Sequence, residues 1–292
     1  MSQIAFIGIG AMGEPMAANL LKKSFSVTVL KHRRPEPAAR LQALGAKVAN
    51  TVAEAAAGAG IAILSLPTSR EVEACVRGEG GLAKTLAAGS VIIDCSTSNP
   101  QSTRELAALL AERNIGLVDA GMTRGVAGAK TGTLAFFIGG AQAHIDQAMP
   151  ALNAMGDTFL HLGPVGDGHT VKVISNILSY GTVALVNEAL MLGARHGVDS
   201  KKTFDALMQG APSKALEAFG PRIISGEYDP PRVTVDHVCE DMMLGQDLAT
   251  KASAPIFMLG AAQEIYRSLA LRGLGERDMS TVAELWRAAT GK

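Results

Sequence analysis

The chain has 292 residues, of which 48% are hydrophobic and 18% charged, and its 27 basic and 27 acidic side chains cancel. This composition supplies ample core and argues against disorder and against a strongly basic nucleic-acid binder, and the length suggests two domains. Three cysteines, Cys75, Cys95 and Cys239, lie far apart with no CxxC spacing and read as reduced thiols of a cytoplasmic protein; the six histidines show no zinc spacing.

Neither a secretory leader nor a membrane span is expected. The opening apolar run, Ile4 to Ile9, is short and meets glycines, and longer apolar windows are broken by Gly, Asn or Glu.

Ile4-Ala5-Phe6-Ile7 suits a parallel strand buried on both faces. It runs into Gly8-Ile9-Gly10-Ala11-Met12-Gly13, a GxGxxG loop, then a helical pattern from Met16 to Lys23 and a second strand, Val27 to Leu30. A lone GxGxxG is weak, but strand, glycine loop, helix and strand in succession form the dinucleotide-binding pattern. Gly8 permits the tight turn, Gly10 lets backbone approach a pyrophosphate, and Gly13 allows the helix to pack closely on the strand. The first N–H groups of the helix are free to meet phosphate.

The end of the second strand bears on which dinucleotide is bound. An NAD site usually places an acid there for the ribose hydroxyls, whereas this chain has Lys31-His32-Arg33-Arg34 and no acid until Glu36. Lys31 and Arg33 would welcome a 2′-phosphate, which leans the reading to NADP. NAD held by backbone alone, with these cations in solvent, is the alternative.

The alternation continues with a helix over residues 53–57, a strand over 61–66 stopped by Pro67, and a helix over 71–77. A strand over 91–94 is followed by Cys95-Ser96-Thr97, a helix from Pro100 to about Arg113 and a strand over 116–119. In such a sheet ligands sit outside the carboxyl ends of the strands, where Leu66, Pro67, Ser96, Thr97 and Asp119 fall. Residues 119–134, dense in Gly, Thr and cations, read as a loop that closes on an anion. A strand over 134–138, a helix over 144–155 and a strand over 159–162 complete this half, and Gly163-Pro164 reads as a boundary between domains 1–163 and 164–292.

Residues 165–196 form one long helical pattern, too apolar for an isolated surface element and expected to bury against other helices and a second subunit. Lys172 and Asn176 lie four residues apart near its start and share a face. A lysine among Val and Ile either works as an acid or base with a lowered pKa or lays its stem on apolar surface with its head in water. Helical patterns follow over 201–208, 216–224, 235–251, 256–272 and 280–288 with no convincing strand, so this half reads as all-α, and Trp286 reads as a packing anchor.

Taken together, these motifs resemble the β-hydroxyacid dehydrogenase family, which includes 3-hydroxyisobutyrate dehydrogenase, tartronate semialdehyde reductase and sulfolactaldehyde reductase. The similarity covers nearly the whole chain. It rests on the loop from Phe6 to Gly13, Asp94-Cys95-Ser96-Thr97 with Pro100, the Asp119–Leu134 segment with Gly140, and Gly166-x-Gly168-x-x-x-Lys172-x-x-x-Asn176. The resemblance implies an α/β Rossmann-type domain, an all-α domain joined to it by a long helix, and a homodimer or homotetramer. It implies hydride transfer between NAD(P) and a small anionic hydroxyacid or semialdehyde, without nucleic acid, membrane or metal. Lys172 falls on the family's acid/base, Asn176 on the residue that orients substrate, and Ala11, Met12, Leu66 and Thr97 on cofactor contacts. An ammonium beside an oxygen that gains negative charge during hydride transfer is chemically apt.

Three departures concern specificity. Where the family usually has D-x-P-V-S-G-G, this chain reads Asp119-Ala120-Gly121-Met122-Thr123-Arg124-Gly125, so Thr123 can stand for the Ser. Arg124 either offers a forked grip on a substrate anion, as in sulfolactaldehyde reductases of the family, or points to solvent. Glu240-Asp241 replaces the family's Lys-Asp pair, which reverses the local field by about two charges; Arg124 compensates, or Glu240 contacts an amine or hydroxyl of the substrate. The basic run Lys31–Arg34 is the third. Imine reduction, which some relatives perform, and a non-catalytic dinucleotide-binding sensor are the alternatives, and the presence of Lys172 argues against both.

Overall fold

A computed structural model describes residues 3–32 and 34–288, with side chains described to residue 285, so Arg33 and the Trp286 side chain lie outside the described residues. The chain forms two compact units, Met1–Lys172 and Val173–Lys292.

The first unit alternates strand and helix: β1 (Gln3–Ile7), α1 (Gly13–Lys22), β2 (Val27–Leu30), α2 (Glu36–Ala43), β3 (Lys47–Ala49), α3 (Val52–Ala56), β4 (Ala59–Leu64), α4 (Ser69–Arg77), α5 (Leu82–Thr85) and β5 (Val91–Asp94). Then come α6 (Pro100–Ala111), β6 (Gly116–Thr123), α7 (Gly125–Thr131), β7 (Leu134–Gly139), α8 (Gln142–Met155) and β8 (Gly156–Gly163). The eight strands form one sheet in the order β3-β2-β1-β4-β5-β6-β7-β8. Neighbours are parallel except β6 and β7, which run antiparallel with Asp119 opposite Gly139 and Gly121 opposite Phe137. The chain leaves β1 for β2 and β3 on one side and returns as β4 on the other. That reversal opens the crevice where such sheets bind ligands, between the ends of β1 and β4.

Both faces of the sheet are buried, which is why its strands read as apolar runs rather than alternating ones. Ile4, Phe6, Val29, Ile63, Ile93 and Phe136 pack with Met16 and Leu20 of α1, Leu41 of α2 and Leu152 of α8. Ala5, Ile7, Leu64, Ile92 and Leu117 pack on the opposite face with Val72 and Val76 of α4, Leu82 of α5 and Leu106 of α6. Local chemistry sets the helix starts. Thr68 and Glu71 form a capping box on α4, and Asn99 accepts from the Gln101 N–H ahead of α6, whose first residue is Pro100.

Two segments differ from the sequence reading. β6 continues to Thr123, through residues read as loop, because Ala120, Gly121 and Met122 are small or apolar and find an antiparallel partner in β7. The glycine-rich stretch beyond it winds into α7, entered and left through left-handed residues, Arg124 at φ 78 and Gly132 at φ 70.

A single helix, α9 (Asp167–Arg195), runs from the first unit into the second, followed by α10 (Ser200–Gly210), α11 (Lys214–Ser225), α12 (Val235–Lys251), α13 (Phe257–Leu271), a 3-10 turn (Met279–Val282) and α14 (Ala283–Ala288). Val173, Ile177, Tyr180 and Val183 of α9 pack with Val235, Val238 and Met242 of α12 and Ala262, Tyr266 and Leu269 of α13. Gly245 of α12 makes this crossing close, since a Cβ there would stand 2.8 Å from Ile177 Cγ2. α9 is long and apolar enough, by length and composition, to cross a membrane, and this packing accounts for the part of its apolar surface that is buried.

Candidate active site

The loop after β1 has the backbone that its glycines suggest. Gly8 sits at φ 100, and a Cβ there would lie 2.1 Å from the Ser65 carbonyl oxygen beyond β4. A Cβ on Gly13 would lie 1.8 Å from the Gly8 carbonyl oxygen, so only glycine lets α1 start this close to the turn. Gly10 is different. Among the described residues nothing lies within 4 Å of a Cβ built on it, and both Gly10 and Ala11 face solvent. Open space at the loop's middle glycine, and a helix start with no side-chain cap on Met12, are what a pyrophosphate needs. The site therefore fits a dinucleotide.

The neighbouring strand ends are tied to one another. Leu66 donates its N–H to Ser96 Oγ at 3.0 Å, joining the loops after β4 and β5. Asp94, at the end of β5 and buried, accepts from the Ser96 N–H at 2.9 Å and the Ser98 hydroxyl at 2.8 Å. Pro67 is exposed and Thr97 half-buried beside them. Lys31 follows β2 directly and is exposed, as are His32 and Arg34.

Asp119 of β6 turns its fully buried carboxylate to the start of α9. Oδ1 accepts from the Gly166 N–H at 2.7 Å and Oδ2 from the His169 N–H at 2.8 Å. His169, also fully buried, contacts Thr103 Oγ1 through Nδ1 at 2.8 Å and the Asp94 carbonyl oxygen through Nε2 at 3.2 Å. One turn after His169 comes half-buried Lys172, whose stem lies on Gly121: a Cβ on Gly121 would be 2.6 Å from Lys172 Cβ and 2.8 Å from its Cγ.

Arg124 meets protein partners. One terminal nitrogen donates to the Thr133 carbonyl oxygen and to Asp157 Oδ1, each at 2.6 Å, and the other to Thr158 Oγ1 at 2.8 Å. The fork that the sequence offers to a substrate anion is thus engaged at the ends of β7 and β8. The Thr158 hydroxyl, and then Arg124, hold the Asp157 carboxyl below the usual range. That contribution is present above the ordinary carboxylate pKa and is lost as pH falls through the lowered one. Thr123 ends β6 half-buried, and Gly125 opens α7, exposed at φ 58.

In the second unit, Asn176 donates its amide to Asp241 Oδ2 at 2.7 Å, and the Tyr180 hydroxyl donates to the same oxygen at 2.7 Å. Asp241 is buried, and His237 Nε2 lies 3.6 Å from that oxygen. Burial, and then the Asp241 charge, push the Tyr180 phenol far above its ordinary pKa, so it stays a donor. Glu240 is the exposed neighbour of Asp241 on α12. Burial pushes the Cys75 thiol up to about 12 and the Cys95 thiol well above its ordinary value, so both stay protonated.

Two family models cover the chain. One, described as the NAD binding domain of 6-phosphogluconate dehydrogenase, matches residues 3–163. The other, described as NAD-binding of NADP-dependent 3-hydroxyisobutyrate dehydrogenase, matches residues 166–286. The 2-(hydroxymethyl)glutarate dehydrogenase of Eubacterium barkeri is 34% identical over 291 residues, covering 99% of this chain and 96% of that one. The chain belongs to the β-hydroxyacid dehydrogenase family. An NAD-dependent L-serine dehydrogenase of Pseudomonas aeruginosa is 33% identical over the whole of both chains. A solved structure of a Mycobacterium tuberculosis 3-hydroxyisobutyrate dehydrogenase with L-serine superimposes with a TM-score of 0.89, at 27% identity and covering 98% of this chain and 99% of that one.

This β-hydroxyacid dehydrogenase is an oxidoreductase that uses NAD(P), with a Rossmann domain and a helical domain, and the comparisons do not favour imine reduction or a non-catalytic sensor. Sequence reasoning singled out Lys172 and Asn176, and placed Asp119 at a strand end and Asp241 beside Glu240, but it did not show that Asp119 and His169 tie down the start of α9 or that Asp241 holds Asn176. Their signal was faint: an acid at the end of an apolar strand (Asp94, Asp119), and an acid followed by Met242-Met243-Leu244 (Asp241), each needing a partner once buried.

Proposed function

We propose that this dehydrogenase moves hydride between NAD(P) and a small β-hydroxyacid or its semialdehyde, with Lys172 as the proton donor and acceptor at the substrate oxygen. One observation carries the reading: Lys172 rises from the first turns of α9 with its stem on Gly121, in the strand that leads to Thr123. Nicotinamide supplies the hydride at C4. The Lys172 ammonium stabilises the negative charge that develops on a carbonyl oxygen during reduction and transfers its proton there; in oxidation the neutral amine takes the hydroxyl proton. Asn176, held through its amide by Asp241, orients the substrate one helical turn along. Ser96, Thr123 and Gly125 contribute hydroxyl and backbone donors to its carboxylate. Gly8, Gly10, Ala11, Met12 and Gly13 bind the pyrophosphate, and Leu66, Pro67 and Thr97 line the nicotinamide half.

The substrates named for the relatives, 2-(hydroxymethyl)glutarate and L-serine, share a CH2OH group next to the carbon that bears a carboxylate. A primary alcohol β to a carboxylate is therefore the class expected here. Glu240 would favour an amine or hydroxyl on the central carbon over a further anion. The cofactor preference is NADP, supported by exposed Lys31 at the end of β2 and by Arg33 in the sequence. The experiment is a screen of short hydroxy-carboxylates, sulfonates and phosphates with both cofactors. Turnover of β-hydroxyacids, faster with NADP, is expected; no turnover of any would overturn the reading, and tighter binding of NADH than NADPH would overturn the cofactor preference.

Arg124 enters this proposal as the residue that holds the loop rather than the anion, since gripping substrate would require it to leave Asp157 and Thr158. Arg124→Gly is then expected to lower kcat/KM by about tenfold for mono- and dianionic substrates alike. A loss confined to the KM of dianions would assign it the direct grip.

The protein is read as soluble, cytoplasmic and a homodimer or homotetramer. Ile174, Leu178, Leu185 and Leu192 recur along α9 at spacings that share one face, and each is at least 49% exposed. A second copy of the chain is the occupant proposed for that face, and a monomer by light scattering would contradict it.

A further inference from the structure

We propose that Asp119 is a positioning residue for Lys172: it fixes the first turn of α9 on β6, and so sets where the lysine stands. The proposal rests on the reading of Lys172 as the acid/base. Its starting point is a fully buried carboxylate, which is costly unless its oxygens are satisfied. Both are, by the N–H groups of Gly166 and His169 at 2.7 and 2.8 Å. These are among the unpaired donors of a helix start, where a negative charge also meets the positive end of the helix dipole. A carboxylate from a distant strand thus caps the helix that carries Lys172.

The surrounding glycines show how tightly this contact is set. A Cβ on Gly139 would lie 2.6 Å from Asp119 Oδ1. One on Gly168 would lie 2.5 Å from the Phe137 carbonyl oxygen and 2.8 Å from Asp119 Oδ2. Gly166 takes φ 95, and a Cβ there would stand 2.9 Å from Arg104 Nε. Gly168 is therefore what lets the helix start approach β6 and β7, while Gly166 takes the left-handed turn before it, against Arg104 of α6. Two residues beyond Asp119 on β6 comes Gly121, which faces the same side of the sheet and receives the Lys172 stem. One face of one strand thus holds the helix by its cap and the lysine by its stem. His169 adds a second anchor, through Thr103 on α6 and the Asp94 carbonyl oxygen on β5. Asp94 also holds the Ser96 loop, so the helix start is registered to the strand end that carries Ser96 and Thr97.

A small displacement of a catalytic group costs rate rather than affinity. The test is therefore the split between kcat and binding in Asp119→Asn, which keeps the size and one acceptor, with Asp119→Ala as the stronger variant. Asp119→Asn is expected to lower kcat by about tenfold and Asp119→Ala by about a hundredfold, with substrate KM and NADPH affinity within about twofold of wild type. Amide exchange on the resting protein gives a readout without turnover. The Gly166 and His169 amides should exchange faster in Asp119→Asn, while those of β1 and α1 keep their wild-type rates. Wild-type kcat in Asp119→Asn would overturn the proposal. So would a parallel fall in kcat and NADPH affinity with faster exchange throughout the first unit, which marks general loosening. If the wild-type protein oxidises no hydroxyacid, the reading of Lys172 fails and the positioning role with it. The exchange experiment still shows separately whether Asp119 caps α9.

Discussion

Lys172→Ala is expected to lower kcat by about a hundred- to ten-thousandfold, the range for loss of a positioned general acid or base. NADPH affinity should stay near wild type, because the groups assigned to the cofactor lie at the ends of β1, β2, β4 and β5 rather than on α9. The reason for so large an effect is chemical. Hydride arriving at a carbonyl carbon leaves charge on its oxygen, and without an adjacent ammonium that charge has no partner and the alkoxide no proton. Lys172→Arg should rescue little, since a guanidinium carries the charge but does not release a proton near neutral pH. Steady-state kinetics beside a titration of nicotinamide fluorescence measures both quantities. Wild-type kcat in Lys172→Ala would remove the lysine from the chemistry.

The second large effect is expected from one methyl group on Gly13. The Cβ of Gly13→Ala would meet the Gly8 carbonyl oxygen at 1.8 Å and a ring carbon of Phe6 at 3.0 Å. Neither neighbour is the loose end of a flexible side chain, so α1 must move off the turn. Overpacking of this kind costs about 1–3 kcal/mol of stability. The same movement draws the helix N-terminus away from the phosphates, and a cofactor affinity at least about tenfold weaker is expected with it. Gly10→Ala is the control: with open space around it, it should leave stability unchanged and affect cofactor binding alone. Thermal melts with and without NADPH read both terms. An unchanged melting temperature and affinity in Gly13→Ala would contradict the close contact.

These two substitutions also mark what the sequence made legible. Strands buried on both faces gave unbroken apolar runs, so β1, β4 and β5 could be placed closely, and the glycine spacing announced the loop between β1 and α1. The long apolar pattern that became α9 was equally plain, because no proline or polar cluster interrupts it. Elements with little apolar content escaped: α2 and α5 are short, β3 has three residues at the sheet edge, and α7 was hidden by its glycines. The extension of β6 depended on an antiparallel partner that local sequence cannot show.

The site divides in the same way. Lys172, Asn176 and the glycines of the loop between β1 and α1 stand in fixed-spacing motifs, so the sequence alone could propose them. Asp119 lies 50 positions from the His169 N–H that it caps, and Asp241 65 positions from Asn176. Such partners are chosen by the fold, and only the discomfort of an acid in apolar surroundings hints at them. Arg124 shows the converse. Its chemistry suited an anion, but its left-handed backbone and the nearby Asp157 and Thr158 gave the guanidinium partners within the protein.

The most direct test of the account follows the hydride itself. The wild-type protein and Lys172→Ala are each given NADPH carrying deuterium at both C4 positions of the nicotinamide, together with a short β-semialdehyde acid, and the hydroxyacid product is analysed by mass spectrometry. The account predicts deuterium on the carbinol carbon with the wild-type protein and only a trace, formed far more slowly, with Lys172→Ala. Product without deuterium, or deuterated product formed at equal rates by both proteins, would contradict it.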